Sequence, residues 1–368
     1  MTAQETDVRG QILQAAERLT ALGLIARTWG NISARVSDGQ FLITPSGLAY
    51  EALREEQLVP VNITDGSYTG SIKPSSEKGI HADAYRLRPE ANFIIHTHQY
   101  WASVAGVAGR AITGFSHPLL GKRIPCAAYG LPGTRQLRKA VEAEEAAWPD
   151  SRAFLLRRHG ALCLGRDMED AFALAQAMEE VCGARVRDLL GASSPAAPPD
   201  LGCSFRQGDS FTLTLQGVQK RYPVAAPSLP PAAALHAAVY RGGNFQYIAH
   251  EAAPSVVEVS GMGVPLRPYL DDLAQIAGAD VRCVPPDPQR AERAVRGRNA
   301  VLLRDWGALC ASARESDLEA VRELLRKGCA ARLYAREVPP APPLSRGDAL
   351  LQRTVYLRSY SKKRAAQC

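Results

Sequence analysis

Apolar positions along this chain recur with two periods. Over residues 7–22, Ile12, Ala15, Ala16 and Leu19 share one face of a 3.6-residue repeat, which predicts an amphipathic helix. Short β-type runs follow at 41–44 and 92–97. Leu155-Leu156 and Leu162-Cys163 flank His159, as expected for a strand pair or for a strand turning at the histidine. From Met168 to Leu190 the chain is rich in Ala, Leu and Glu and follows Asp167, so a long helix is expected with its apolar positions in the core. Helical and strand segments in this order predict a central, largely antiparallel sheet covered by helices.

The pattern then repeats. The segment from Ala153 to Asp170 returns from Ala300 to Asp317 at a constant offset of 147, with eight of the first eleven positions identical. Cys182, Ala184 and Arg185 return as Cys329, Ala331 and Arg332. Earlier in the copy, His81-Ala82 and Tyr85-Arg86 return as His236-Ala237 and Tyr240-Arg241, and His96 returns as His250. An internal duplication explains these matches. Glu77, His98 and His159 fall on Ala232, Ala252 and Trp306, and neither Gly30-Asn31-Ile32-Ser33 nor Lys73-Pro74-Ser75-Ser76-Glu77 has a counterpart. Two proline-rich breakers, 191–200 and 338–343, set the expected organisation. It runs as a first domain over 1–190, a linker over 191–200, a second domain over 201–336 and a basic tail over 337–368. The tail holds Tyr356, Tyr360 and Lys362-Lys363-Arg364.

Composition narrows the class. At 368 residues, 46% hydrophobic and 22% charged, the chain reads as a globular protein of two domains. The net charge of +7 suits a small anionic substrate, and no basic-aromatic stripe points to nucleic acid. Eight cysteines without C-x-x-C spacing read as buried free thiols of a reducing compartment. With a polar N-terminus and no apolar run of membrane-spanning length, the expectation is a cytoplasmic enzyme with no membrane partner.

Candidate chemistry concentrates in the first half. His96-Thr97-His98 follows the apolar run Phe93-Ile94-Ile95, and His159 is a third imidazole further on. Three protein ligands and an open position are what a catalytic zinc needs. Glu77 ends a run of small and hydroxylated residues that includes Ser75 and Ser76. Gly30-Asn31-Ile32-Ser33 and Thr44-Pro45-Ser46-Gly47 are two similar loops. Such loops let backbone N–H groups approach an anion closely, so together they look like a phosphate cradle beside a metal.

The order G-N-x-S, T-P-S-G, K-P-S-S-E, H-x-H and then H-G before a long helix resembles the class II aldolase/adducin family over about residues 7–190. The resemblance implies a three-layer α-β-α fold, here tandem duplicated. It implies that His96, His98 and His159 bind zinc, with manganese as the alternative ion. Glu77 would be the acid/base, and Asn31, Ser46, Gly47, Ser75 and Ser76 would hold a sugar-phosphate substrate. Glutamate at position 77 and the 61-residue interval from His98 to His159 are similar to the family's fuculose-phosphate aldolases more than to its epimerases. Those aldolases cleave a phosphorylated ketose to dihydroxyacetone phosphate and a small aldehyde. A sugar-phosphate epimerase or dehydratase, or a non-catalytic adducin-like scaffold, is the alternative. Where the aldolases carry a tyrosine after H-x-H, this chain has His117. The family also implies a homo-oligomer, either a dimer forming a pseudo-fourfold ring or a tetramer.

Overall fold

The computed structural model describes residues 3–25, 29–192, 194–338 and 341–360. The chain divides into two compact units that meet in sequence between Asp188 and Leu189.

The first unit runs α1 (Ala3–Ala21), β1 (Gly30–Ser37), β2 (Gln40–Ile43), β3 (Val59–Asn62), α2 (Lys78–Leu87), β4 (Phe93–Thr97) and α3 (Tyr100–Gly106). It continues with β5 (Ile112–His117), β6 (Gly121–Ile124), β7 (Cys126–Ala127), α4 (Arg135–Ala147), β8 (Ala153–Leu156), β9 (Gly160–Gly165) and α5 (Met168–Leu190). Seven strands form one sheet in the order β3-β2-β1-β4-β9-β8-β7, while β5 and β6 stand apart as a hairpin. Every pair in the large sheet is antiparallel except β7 with β8. Strand β4 is therefore central and buried along its whole length. Ile12, Ala15, Ala16 and Leu19 are all buried, so the expected face of α1 is its core face. Each fully buried Ile or Leu side chain contributes roughly 1.5–3 kcal/mol. Helix α5 begins where Asp167 accepts the Asp170 N–H at 2.8 Å.

The second unit repeats this plan. It runs β10 (Cys203–Gln207), β11 (Ser210–Leu215), β12 (Val218–Pro223), α6 (Pro231–Gly242), β13 (Tyr247–Glu251), α7 (Pro254–Gly261) and α8 (Asp271–Ala277). Then come β14 (Cys283–Val284), α9 (Pro288–Val295), β15 (Ala300–Leu303), β16 (Gly307–Ser312), α10 (Glu315–Glu337) and α11 (Arg346–Val355). The sheet order β12-β11-β10-β13-β16-β15-β14 is that of the first unit strand for strand, including one parallel pair at the end. Register fixes the residue equivalence. His96 pairs with Leu162 and His250 with Leu309, so the two histidines occupy the same site on the same strand. Ser33 pairs with Ile94 and Ser204 with Ile248, which makes Ser204 the counterpart of Ser33 and Gly202 that of Asn31. One serine of G-N-x-S therefore survives, although the motif as a whole has no counterpart in sequence.

One reading is filled in and one changes. Within the basic tail, residues 346–355 form a helix. Ser345 caps it by accepting the Asp348 N–H at 3.0 Å, and Arg353 donates to the Gln275 carbonyl at 2.8 Å. Its buried residues are Ala349 and Gln352, while Leu350, Leu351 and Val355 are exposed, so its packing on α8 was not visible from apolar positions. Lys362-Lys363-Arg364 lies outside the described residues. Of the described cysteines, all free, Cys203 is exposed and Cys283 half-buried, so burial does not extend to every thiol. No described helix is long and apolar enough to cross a membrane.

Candidate metal centre

Three elements converge on one point in the first unit. His96 leaves the central strand β4, His98 follows where the chain turns into α3, and His159 sits in the tight β8–β9 turn. Arg158 holds that turn in a left-handed conformation at φ 63°. Gly160 follows because a side chain there would meet the Thr97 carbonyl oxygen at 2.1 Å, and one at Gly30 would meet the His96 carbonyl oxygen at 2.6 Å. These two glycines let β1 and the β8–β9 turn close on the end of β4.

The three imidazoles are buried with ring centroids 4.4–5.1 Å apart. Their ligand atoms lie within 4.8 Å of one another, and this is the one such group among the described residues. His96 donates from Nδ1 to the Ala161 carbonyl at 2.8 Å, which leaves Nε2 facing the cluster. That Nε2 is buried and has no hydrogen bond of acceptable geometry among the described residues. Three imidazoles with ring nitrogens gathered on one point form an N₃ donor set that fits a divalent ion of the zinc type.

Glu77 caps this group. Its Oε1 lies 2.9 Å from His159 Nε2 and its Oε2 3.2 Å from His96 Nε2. Burial alone would push its carboxyl up, but His159 and His96 outweigh it and hold the group well below the usual carboxylate range. Asn31 donates from Nδ2 to Glu77 Oε2 at 3.0 Å, and its Oδ1 contacts His81 Nε2. Its carboxamide is thus engaged with Glu77 and His81.

Two of the segments expected to cradle phosphate come together as loops, whereas Gly30-Asn31-Ile32-Ser33 is no loop but the start of strand β1. Pro45 and Pro74 form an isolated bridge, the Ser46 N–H donates to the Lys73 carbonyl at 2.9 Å, and the Ser75 N–H donates to the Thr44 carbonyl at 3.0 Å. Gly47 adopts φ 78°. Ser75 accepts the Glu77 N–H through its hydroxyl at 3.2 Å, at the start of α2. Ser76 is exposed, and a side chain at Gly133 would meet it at 3.2 Å. His117 lies on the β5–β6 hairpin, outside the seven-stranded sheet. It ends β5, accepts the Leu119 N–H through Nδ1 at 3.2 Å, and makes no hydrogen bond or ring contact with Glu77 or the three imidazoles.

Sequence reasoning missed His81. Its ring is fully buried, and burial, with His96 nearby, pushes its pKa down to about 3, so it is neutral. Nδ1 contacts Ser33 Oγ at 2.6 Å, and Ser33 Oγ contacts the Tyr85 hydroxyl at 2.9 Å. The available signal was the spacing of Glu77, His81 and Tyr85 by four, one face of a helix.

Comparison with known proteins places this geometry. The family profile described as "Class II Aldolase and Adducin N-terminal domain" matches residues 10–186. The chain is 35% identical over 204 residues to the 5-methylthioribulose-1-phosphate/5-deoxyribulose-1-phosphate aldolase of Rhodospirillum rubrum, covering 54% of this chain and 90% of that protein. It is 36% identical to the L-fuculose phosphate aldolase of Escherichia coli, covering 46% of this chain and 78% of that one. A solved L-fuculose 1-phosphate aldolase aligns at 29% identity and TM-score 0.45, over 51% of this chain and 87% of that structure. With the histidine triad, Glu77 and the paired loops all lying within the matched residues, the chain belongs to the class II aldolase and adducin family.

Proposed function

We propose that the chain is a metal-dependent aldolase that cleaves a ketose 1-phosphate to dihydroxyacetone phosphate and a small aldehyde. The observation that carries this reading is the convergence of His96, His98 and His159 with Glu77 against them. His96, His98 and His159 would hold the ion, zinc or else manganese, which when bound supplies Lewis-acid polarisation of the substrate's oxygens.

The residues divide the remaining work. In the cleavage direction the hydroxyl on the carbon that leaves as aldehyde would give its proton to His117 of a neighbouring subunit, and Glu77 enters this direction protonated. The electron pair of the breaking carbon–carbon bond passes to the carbon beside the carbonyl, and Glu77 delivers its proton there and is left ionised. In the reverse direction Glu77, held ionised, takes that proton from dihydroxyacetone phosphate. Ser46, Gly47, Ser75 and Ser76 with nearby backbone N–H groups would bind the phosphate and so fix the reacting carbons. Asn31 is assigned to Glu77 rather than to the phosphate through the contacts its carboxamide already makes. His117 is proposed to act on the aldehyde oxygen only from a neighbouring subunit, since it stands apart from its own triad.

The relatives' names define the panel: L-fuculose 1-phosphate, 5-deoxyribulose 1-phosphate and 5-methylthioribulose 1-phosphate. Release of dihydroxyacetone phosphate from one of them by the metal-loaded chain is the expected result. Epimerised or dehydrated product without it would replace the aldolase by another reaction of the family. No turnover with full metal occupancy would favour a scaffold.

The second unit is proposed as a degenerate copy that keeps the scaffold without metal ligands. The oligomer is proposed to be a ring of four domains, built from two chains with live and degenerate domains alternating, or else from four chains.

A further inference from the structure

Glu77, His81 and Tyr85 stand at i, i+4 and i+8 along the start and first two turns of α2, while Asn31 and Ser33 are i and i+2 on β1. A helix face with period four and a strand face with period two interleave here into one file. The file runs Tyr85–Ser33–His81–Asn31–Glu77, every member buried and each joined to the next by a hydrogen bond. Its polarity follows from Asn31, whose Nδ2 donates to Glu77 Oε2 at 3.0 Å and whose Oδ1 faces His81 Nε2. His81 must then carry its proton on Nε2 and accept at Nδ1 from the Ser33 hydroxyl, which accepts in turn from Tyr85.

The second unit keeps three members and drops two. Ser204 contacts His236 Nδ1 at 2.7 Å and the Tyr240 hydroxyl at 2.8 Å. Even the ring packing persists: Phe211 lies 6.5 Å from His236 and 5.3 Å from Tyr240, where Phe41 lies 6.5 Å from His81 and 5.1 Å from Tyr85. Where Asn31 and Glu77 would stand there are Gly202 and Ala232, and the ring's second nitrogen is left beside the Leu201 backbone, with no side-chain hydrogen bond among the described residues. The serine–histidine–tyrosine part thus ties strand to helix in both units. Only in the first unit does it continue to a carboxamide and a carboxylate.

We infer that His81 is a positioning residue for the proposed proton transfer: its Nε2–H, backed by Ser33 and Tyr85, locks the Asn31 carboxamide in the one orientation that holds Glu77. This rests on the aldolase reading for its functional consequence, but the file itself is tested apart from activity. In the ¹⁵N-histidine-labelled full chain, His81 should show a protonated Nε2 and an unprotonated Nδ1 at neutral pH. The opposite tautomer would overturn the inference, because it would turn the Asn31 oxygen toward Glu77.

Kinetics on the metal-loaded chain complete the test. His81→Phe keeps the ring packing and removes both nitrogens. It should lower kcat by about 10–100-fold with KM changed less than about twofold and metal content retained. His81→Gln, which restores an amide donor near Nε2, should recover much of that loss, and His236→Phe should leave kcat unchanged. If His81→Phe does not fold, Tyr85→Phe removes only the last hydroxyl and should lower kcat in the same sense by less. Unchanged kcat in the folded His81 or Tyr85 variant would reduce the file to a structural tie and overturn the inference. Absence of cleavage by the wild-type chain would instead sink the aldolase reading, while the tautomer would still decide the file.

Discussion

Strand β4 ends at Thr97 and strand β13 ends at Glu251, at the same place in two sheets of the same order, and the two ends are used differently. At the first, His96 keeps Nε2 for the cluster and gives only Nδ1 to the backbone. At the second, His250 gives both nitrogens to the backbone, accepting from the Leu201 N–H at 3.2 Å and donating to the Trp306 carbonyl at 2.7 Å. Glu251, in the place of Thr97, is buried and paired with Arg322 and Arg326 from α10. Gly307, in the place of Gly160, remains because a side chain there would meet the Glu251 carbonyl oxygen at 2.4 Å. In the H-G motif the glycine serves the fold of both units, and the histidine serves the proposed metal site of the first alone. That is why duplication preserved one and lost the other.

The largest expected contrast comes from the histidines. His96→Ala, His98→Ala and His159→Ala should each empty the site, since two imidazoles hold zinc poorly, and should drop activity below about one-thousandth. His250→Ala should leave metal content and activity unchanged. Elemental analysis alongside an aldol-cleavage assay reads both. Next in size, Glu77→Gln should retain the ion and slow deuterium exchange into dihydroxyacetone phosphate by roughly 10²–10⁴-fold. Exchange at the wild-type rate would leave Glu77 as a structural partner of His159 and Asn31 only.

Gly160→Ala and Gly307→Ala sharpen the comparison through stability. Each forces a Cβ against a carbonyl oxygen, so each should cost about 1–3 kcal/mol or more in chemical denaturation. A loss confined to Gly160 would show that the second unit does not share the packing. The smallest effect is expected from Ser75 and Ser76. Their joint replacement by alanine should raise KM for the ketose phosphate by about tenfold, the loss of one or two phosphate hydrogen bonds.

Much of this was legible in sequence because it is local. The long helix from Met168, the H-x-H pair after an apolar run and the constant offset of 147 are patterns within tens of residues or exact recurrences. The file through Ser33, His81 and Tyr85 was not. The recurrence of His81 and Tyr85 as His236 and Tyr240 was visible, but its partners lie about fifty residues away on another element, and no spacing rule joins a strand to a helix at that distance. The same limit hid Ser204 as the counterpart of Ser33, since only strand register relates them. Asn31 was grouped with the phosphate loops by composition, and its contacts with Glu77 and His81 became visible only once β1 lay against α2.

The division of labour between the two units is tested most directly by the metal stoichiometry of the intact chain, measured by elemental analysis after equilibration with zinc and removal of loosely bound ion. One equivalent per chain is expected, lost in His96→Ala and kept in His250→Ala. Two equivalents per chain, or one that survives His96→Ala, would contradict a single live centre in the first unit.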